Sequence, residues 1–390
     1  MKKGYQIFIF VVFLSIFLLS NSTSYAGQGM KIGELEIKPW GEVKLQYDDN
    51  VFLDRHDGKD DLIYTLTPGI DLKLPFQDNF LKFGYHADII RFSEYDSQNA
   101  TNHFASGELE LNWRDITVNF HDNFERVFDR PSTEDTSRVK RDDNTAGVTV
   151  NLQKERLGIQ IGYDNFIRNY RSDPAYDNFD RKENRYSLML THQTFPKTKL
   201  LFEYDFTQIR YDDSTNSDSD YQQFLVGATG DLTPKTTATI KAGYKFSNYE
   251  NVGSTDFKSG VLYADMTHKF SDKDSLKMEF LRTAYESTFG TNNYYMVNNV
   301  SGTYDHYFTR RLLGFITGLY QENSYPKEST VDGETKKRKD KYYSIGPGLR
   351  YYFKDWLTLT LHLEHIVRDS NFDIYKYVDN LATISARAEF

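Results

Sequence analysis

The sequence predicts an all-β protein: a single transmembrane antiparallel up-and-down barrel of about 18 strands, with short periplasmic turns and mostly longer outer loops. Three observations predict it. The last ten residues alternate strictly and end on an aromatic. The same alternation recurs along the whole chain, and the polar connections between alternating segments are by turns short and long.

At the amino terminus, Lys2 and Lys3 form a basic region, an apolar run from Ile7 to Leu19 is broken only by Ser15, and Ser24 and Ala26 place small residues before a cut. Residues 1–26 therefore read as a secretory signal peptide cleaved after Ala26. The apolar run is shorter than the ~20 residues a spanning helix needs, and no comparable run follows it. Residues 27–35 are expected to be a short periplasmic segment and residues 36–390 the barrel. Removing Lys2 and Lys3 leaves 45 basic against 56 acidic residues, a formal charge of −11. That balance argues against nucleic acid, whose phosphates require clustered Lys and Arg. The 29 Tyr and 29 Phe suit aromatic girdles at the membrane interfaces, and only 9 Pro suit long strands. With no cysteine, disulfides and thiolate chemistry drop out.

The strand signals follow in order. The first segment, near Glu36 to Tyr47, contains Pro39, which leaves sixteen strands as the alternative count. Leu109, Leu111 and Trp113 alternate with Glu108, Glu110 and Asn112. Leu276, Met278 and Phe280 alternate with Lys277 and Glu279, and Leu357, Leu359, Leu361 and Leu363 with Thr358, Thr360, His362 and Glu364. A soluble sandwich would show a similar local pattern, but the connections separate the two. Tight turns fall at Gln77-Asp78-Asn79, Arg114-Asp115, Lys154-Glu155-Arg156, Phe195-Pro196-Lys197, Thr233-Pro234-Lys235, Ser271 to Asp274, Thr309-Arg310 and Lys354-Asp355. Longer polar connections lie around Asp49 to Asp60, Asp96 to Asn102, Asp129 to Lys140, Ser172 to Arg181, Asp213 to Ser219, Asn251 to Thr255, Tyr325 to Asp340 and Asn371 to Tyr375, while the one around Gly290 to Asn292 is short. That is a meander, and an even count returns both ends to the periplasm. The last segment sets Ala382, Ile384, Ala386, Ala388 and Phe390 against Leu381, Thr383, Ser385, Arg387 and Glu389. It is similar to the terminal strand by which outer-membrane barrels are recognised for insertion, which makes Phe390 the candidate assembly signal for the barrel-assembly machinery.

The stretch Tyr47-Asp48-Asp49-Asn50-Val51-Phe52-Leu53, followed by Asp60 to Leu72 with Pro68 and Gly69, resembles the amino-terminal signature of the putative beta-barrel porin 2 family. These are outer-membrane barrels associated with exopolysaccharide gene clusters. For members linked to export, the resemblance implies an eighteen-strand barrel that takes over the outer-membrane step from a periplasmic polysaccharide-export protein.

No constellation carries catalysis. His362 and Glu364 share a strand face while His365 points the other way, which is no metal geometry. The acidic stretch Asp212 to Asp220 and the run Asp48-Asp49-Asn50 concentrate oxygen ligands but lack the EF-hand glycine and glutamate. No GxSxG elbow occurs, so neither an enzyme nor a cofactor is expected. Lys336-Lys337-Arg338-Lys339, the one dense basic run, is expected on an outer loop, meeting anionic lipopolysaccharide or polysaccharide. By alternation Asp71, Lys73, Lys82, Asp88, Glu108, Glu110, Glu203, Asp205, Lys241, Lys277, Glu279, Arg350, His362 and Glu364 line the lumen. Cross-strand charge bracing is the competing role for each.

The leading expectation is a passive outer-membrane channel, the translocation component for an exopolysaccharide secreted by a periplasm-spanning machine. One alternative is a general or solute-selective porin in which an outer loop folds inward to make a constriction. The other is a structural or adhesive barrel with a plugged lumen.

Overall fold

In lipid every backbone N–H and C=O must find a partner within the protein, so a sheet that crosses a membrane has to close on itself. The computed structural model describes residues 29–171, 176–250, 256–290 and 292–390. The signal peptide, the cleavage position and the Asn251 to Thr255 connection lie outside the described residues. A three-residue strand, β1 (Met30–Ile32), precedes the wall. The wall comprises β2 (Leu35–Asp48), β3 (Asp61–Phe76), β4 (Asn79–Phe92), β5 (Ala100–Trp113), β6 (Ile116–Asp129), β7 (Val139–Lys154), β8 (Leu157–Tyr170), β9 (Arg181–Phe195) and β10 (Thr198–Tyr211). It continues through β11 (Ser219–Thr233), β12 (Thr236–Tyr249), β13 (Phe257–Lys269), β14 (Asp274–Glu286), β15 (Tyr294–Tyr307), β16 (Leu312–Val331), β17 (Glu334–Lys354), β18 (Leu357–Ser370) and β19 (Tyr377–Glu389).

Each wall strand pairs antiparallel with the next, and β19 returns to β2 from Leu381 opposite Asp48 to Glu389 opposite Trp40. The closed count is eighteen, not sixteen. Pro39 is accommodated at the end of this closing ladder, where its carbonyl accepts from the Phe390 N–H at 3.0 Å. Its missing N–H falls opposite Phe390, the last residue of the chain, so only the terminal rung of the ladder is lost. The Phe390 ring stacks on Trp356 in the turn before β18, centroids 5.8 Å apart. Part of the 27–35 segment folds back as β1, with Met30 opposite Ile37.

The two faces follow the period-2 pattern. Leu81, Phe83, Tyr85, Ile159, Ile161, Leu359, Leu361 and Leu363 are exposed on the outside, while the polar partners of the alternation face the barrel axis.

One expected connection is instead strand. Tyr325 to Asp340 lies mostly within β16 and β17, which run on for 20 and 21 residues and turn at Asp332-Gly333, both with positive φ (50° and 79°). Asp-Gly is the turn chemistry of a two-residue hairpin. The hairpin stands above the membrane with water on both sides, so no face needs to be apolar and the alternation disappears. A second correction follows from it. Lys337 and Lys339 are exposed on β17, but Arg338 is 1% exposed and faces inward, so it is no part of an outer basic surface.

The Pro68-Gly69 pair of the signature hairpin also has a packing reason. Gly69 sits opposite Trp40, and a Cβ there would come within 2.2 Å of the indole. The indole lies inward, 5.4 Å from the His86 ring and beneath the Arg387 guanidinium at 4.1 Å. Gly69→Val is therefore expected to lower the temperature at which the barrel loses its heat-modifiable gel mobility, and Gly69→Val with Trp40→Ala to recover most of the loss. Equal melting of parent and Gly69→Val would show that the indole is free to move aside.

Candidate functional site

Two outer loops fold into the lumen. The first, residues 49–60 between β2 and β3, is tied down by the signature residues themselves. Asp48 accepts from the Asn50 N–H at 2.9 Å, Asn50 Nδ2 donates to the Val378 carbonyl at 2.8 Å, and Asp49 accepts from the Asn380 N–H and side-chain amide at 2.7 and 2.6 Å. Val51 is then buried against Ile63 and Phe92, and Leu53 against Ile366 and Tyr377. Asp48, Asp49 and Asn50 thus act as loop struts.

The second loop, residues 130–138 between β6 and β7, crosses to the opposite wall. Arg130 donates to the Val51 carbonyl at 2.7 Å, joining the two loops. Thr133 Oγ1 accepts from Gln321 at 2.7 Å and Asn323 at 3.1 Å. The Glu134 carboxylate accepts from the Ser287 hydroxyl, from the Thr288 N–H at 2.8 Å and from the Thr288 hydroxyl at 2.9 Å. Its backbone carbonyl accepts from Arg338 at 2.9 Å and Arg368 at 3.3 Å. Both guanidiniums bind Asp340 at 2.9 Å, and Arg338 lies against the rings of Tyr375, Phe289 and Tyr325 at 3.8, 4.4 and 4.9 Å. Stacked and hydrogen-bonded, a buried guanidinium is stabilised rather than stranded.

Beside this loop lies a cavity of about 570 Å³, between Pro131, Ser132 and Thr133 and the wall from β8 to β16, referred to below as the aperture. Four cations line it, Arg168, Arg181, Arg185 and Lys245, against three carboxylates, Glu183, Asp205 and Glu286. Arg168 grips Asp143 with two bonds of 2.8 and 2.7 Å, Arg181 holds Glu183 at 2.7 Å, and Arg185 holds Asp205 at 2.8 Å. Gln223 donates to Asp205 at 3.1 Å, and Lys245 Nζ sits 3.9 Å over the Tyr221 ring. Such a lining offers hydrogen-bond donors and acceptors from several directions, and with Asp143 counted beside Arg168 its four cations face four carboxylates.

The other lumen candidates lie on the same inner face but away from the aperture. Asp71, Lys73, Lys82 and Glu108 line a second cavity of about 540 Å³ with Lys38 and His121, where Lys82 pairs with Glu108 at 3.0 Å. Lys277, Glu279 and Glu364 line a third, of about 330 Å³. Asp88 accepts from Thr67 at 2.6 Å, Glu110 from Asn112 at 3.0 Å, Lys241 pairs with Glu203 at 2.8 Å and Lys277 with Glu279 at 2.7 Å. Arg350 lies over Phe315 at 5.5 Å, and the same ring stacks on His362 at 5.5 Å. Glu364 accepts from Ser344, while His365, on the other face, bonds to Asn380. In the acidic stretch, Arg210 reaches Asp220 at 2.8 Å and Lys182 reaches Asp212 at 3.5 Å. Among the described residues no group of three His, Asp or Glu is arranged to hold a metal. Of the sequence candidates only Asp205 reaches the aperture. Its neighbours Arg181, Glu183 and Arg185 share the inward parity of β9, a signal that alternation did carry, whereas Glu134 had none.

The family model described as putative beta-barrel porin 2 matches residues 23–390. The chain belongs to this family. No curated protein matches it. Among solved structures it is similar to the outer-membrane protein OpdK of Pseudomonas aeruginosa, with 10% identity over 91% of this chain and 99% of that one and a TM-score of 0.53. It is also similar to OccAB4 of Acinetobacter baumannii, with 11% identity over 93% and 100% and a TM-score of 0.54, and to OccK2 of P. aeruginosa solved with glucuronate, with 10% identity over 93% and 100% and a TM-score of 0.51. At such identities the likeness is one of fold. A porin barrel of this kind is at home in the outer membrane of a Gram-negative cell.

The loop anchor is expected to respond to pH. Burial pushes the Glu134 and Asp135 carboxyls above their ordinary range. The docked loop therefore holds protons more tightly than a released one, and docking is favoured below the ordinary carboxylate pKa and weakens as pH rises through the elevated values. Amide exchange over residues 130–138, corrected for intrinsic rates, is expected to be slower at pH 5 than at pH 8. Glu134→Ala removes three accepted hydrogen bonds and is expected to cost docking about 2–3 kcal/mol, read as faster exchange at both pH values. Exchange that ignores both pH and this substitution would mean the loop is held by something else.

Proposed function

We propose that this protein is a passive diffusion channel of the outer membrane that admits small polar solutes, selected at the aperture beside the inward loop. The observation that carries this reading is the anchoring of residues 130–138 across the lumen, with a polar-lined cavity of about 570 Å³ beside it. That is room for a compact solute with its hydrogen-bonding groups engaged. A hydrated polysaccharide would need a bore free of this loop, and the loop is fixed to β14, β16, β17 and β18 or the connections beside them. The solute-selective alternative is therefore favoured over exopolysaccharide translocation. Because the loop leaves an opening beside it, the channel reading is also favoured over a plugged structural barrel. Barrels of the same fold have been solved with vanillate and with glucuronate, and small carboxylates of that kind suit the cluster of Arg168, Arg181, Arg185 and Lys245 at this aperture. Passive flow needs no energy source within the chain.

Liposome swelling with purified protein tests the proposal. Swelling is expected with monosaccharides and small organic acids, falling off sharply for oligosaccharides. Deletion of residues 132–136 is expected to raise single-channel conductance several-fold and to relax the size limit. A protein that passes no small solute, or one whose conductance ignores the deletion, would rule the reading out.

A further inference from the structure

The wall contains a step that alternation along its strands does not foresee. β13 and β14 pair from Lys269 opposite Ser275 to Leu262 opposite Arg282 and no further, although β13 continues outward to Phe257 and β14 to Glu286. Over the same height β13 stays paired with β12 as far as Phe257 opposite Ser247, and β14 with β15 as far as Glu286 opposite Tyr294. Four register positions of the junction thus lack a ladder. A Cβ on Gly260, in this stretch of β13, would meet a single atom, the Gly243 carbonyl oxygen, at 3.9 Å.

The faces in contact show where the end of β14 has gone. By alternation Lys245, Tyr249 and Phe257 belong to the inner face of β12 and β13, whereas Ala284, Glu286 and Tyr294 belong to the outer face of β14 and β15. Yet Tyr249, Phe257, Ala284 and Tyr294 are buried together in one cluster. Glu286 accepts from the Tyr211 and Tyr249 hydroxyls at 3.1 Å each, and Lys245 donates to the Ala284 carbonyl at 3.2 Å. An inward step satisfies all three: the outer end of β14 passes behind β13 and lays its outer face against the inner face of its neighbours. Glu286 is thereby carried from the membrane side into the aperture.

We infer that this step makes Lys245 and Glu286 the side chains that set the charge selectivity of the aperture. The inference rests on the channel reading above. Arg168, Arg181 and Arg185 each hold a carboxylate, and Glu183 and Asp205 are consumed by those pairs. Neither Lys245 nor Glu286 has an opposite charge within ion-pair distance among the described residues: Glu286 is held by tyrosine hydroxyls, and Lys245 by a carbonyl and a ring. Each stands in the field of the other without being locked into an ion pair, and in a narrow passage a charge outside any ion pair acts on a permeating ion more strongly than one already paired. Lys245 draws anions, and Glu286 opposes it.

Reversal potentials in a KCl gradient across planar bilayers holding the purified protein test the assignment. Lys245→Met is expected to lower the anion-to-cation permeability ratio by about threefold or more, and Glu286→Gln to raise it by a similar factor. Lys245→Arg is expected to keep the parent ratio. Heat-modifiable gel mobility verifies that each variant has closed its barrel. Folded, conducting variants with an unchanged ratio, or with both shifts in the same direction, overturn the inference while leaving the channel reading standing. A parent protein that conducts no ions takes both down.

Discussion

The constraint on which the rest depends is the lack of any partner for a bare strand edge in hydrocarbon. An open sheet of eighteen strands would present two unsatisfied edges to lipid, and each orphaned N–H or C=O there costs several kcal/mol. The ladder between β19 and β2 removes both edges at once. It also explains why the first and last strands carry so much of the distinctive sequence. Trp40, Pro39, Gly69 and Phe390 all cluster near the periplasmic end of this junction, where the carboxy terminus, a ring and a turn must fit the same small space.

Closure fixes a wide bore, and the chain then spends its loops on narrowing it. The two inward loops differ in what holds them. Residues 49–60 are held by apolar burial and by struts to β19, residues 130–138 by a hydrogen-bonded carboxylate and two buried arginines on the far wall. The second arrangement is the more demanding, because Arg338, Arg368 and Asp340 are removed from water and must satisfy one another. Its reward is geometric. A carboxylate on one loop and a carbonyl beside it engage β17, β18 and the connection after β14 together, which fixes the loop's position along and across the barrel.

Several residues were legible before any coordinates, and the reasons are local. Period-2 alternation assigns Lys82, Glu108, Asp205 and Glu279 to the inner face, on the premise that each strand in the membrane has lipid on one side and water on the other. Turn chemistry located all eight periplasmic turns, which are too short to hide. The same logic failed where its premise failed. The β16–β17 hairpin rises above the membrane, so Arg338 lost the marker that would have set it apart from its exposed lysine neighbours. Glu134 lies in a loop, where no periodicity exists, and Glu286 alternates correctly on a strand that has itself moved.

By itself the sequence determined the class of fold, the antiparallel meander of its strands, the side on which its turns lie and the family to which it belongs, while the choice of eighteen strands over sixteen waited for the closing ladder. All of these follow from interactions between a strand and its immediate surroundings, or from contacts between neighbours in the chain. Only the tertiary structure decided which loops enter the bore, where the opening remains and which charges face it. Those outcomes rest on pairs such as Glu134 with Thr288 and Arg368 with Asp340, whose partners meet only when the wall has closed and brought distant strands to opposite sides of one lumen.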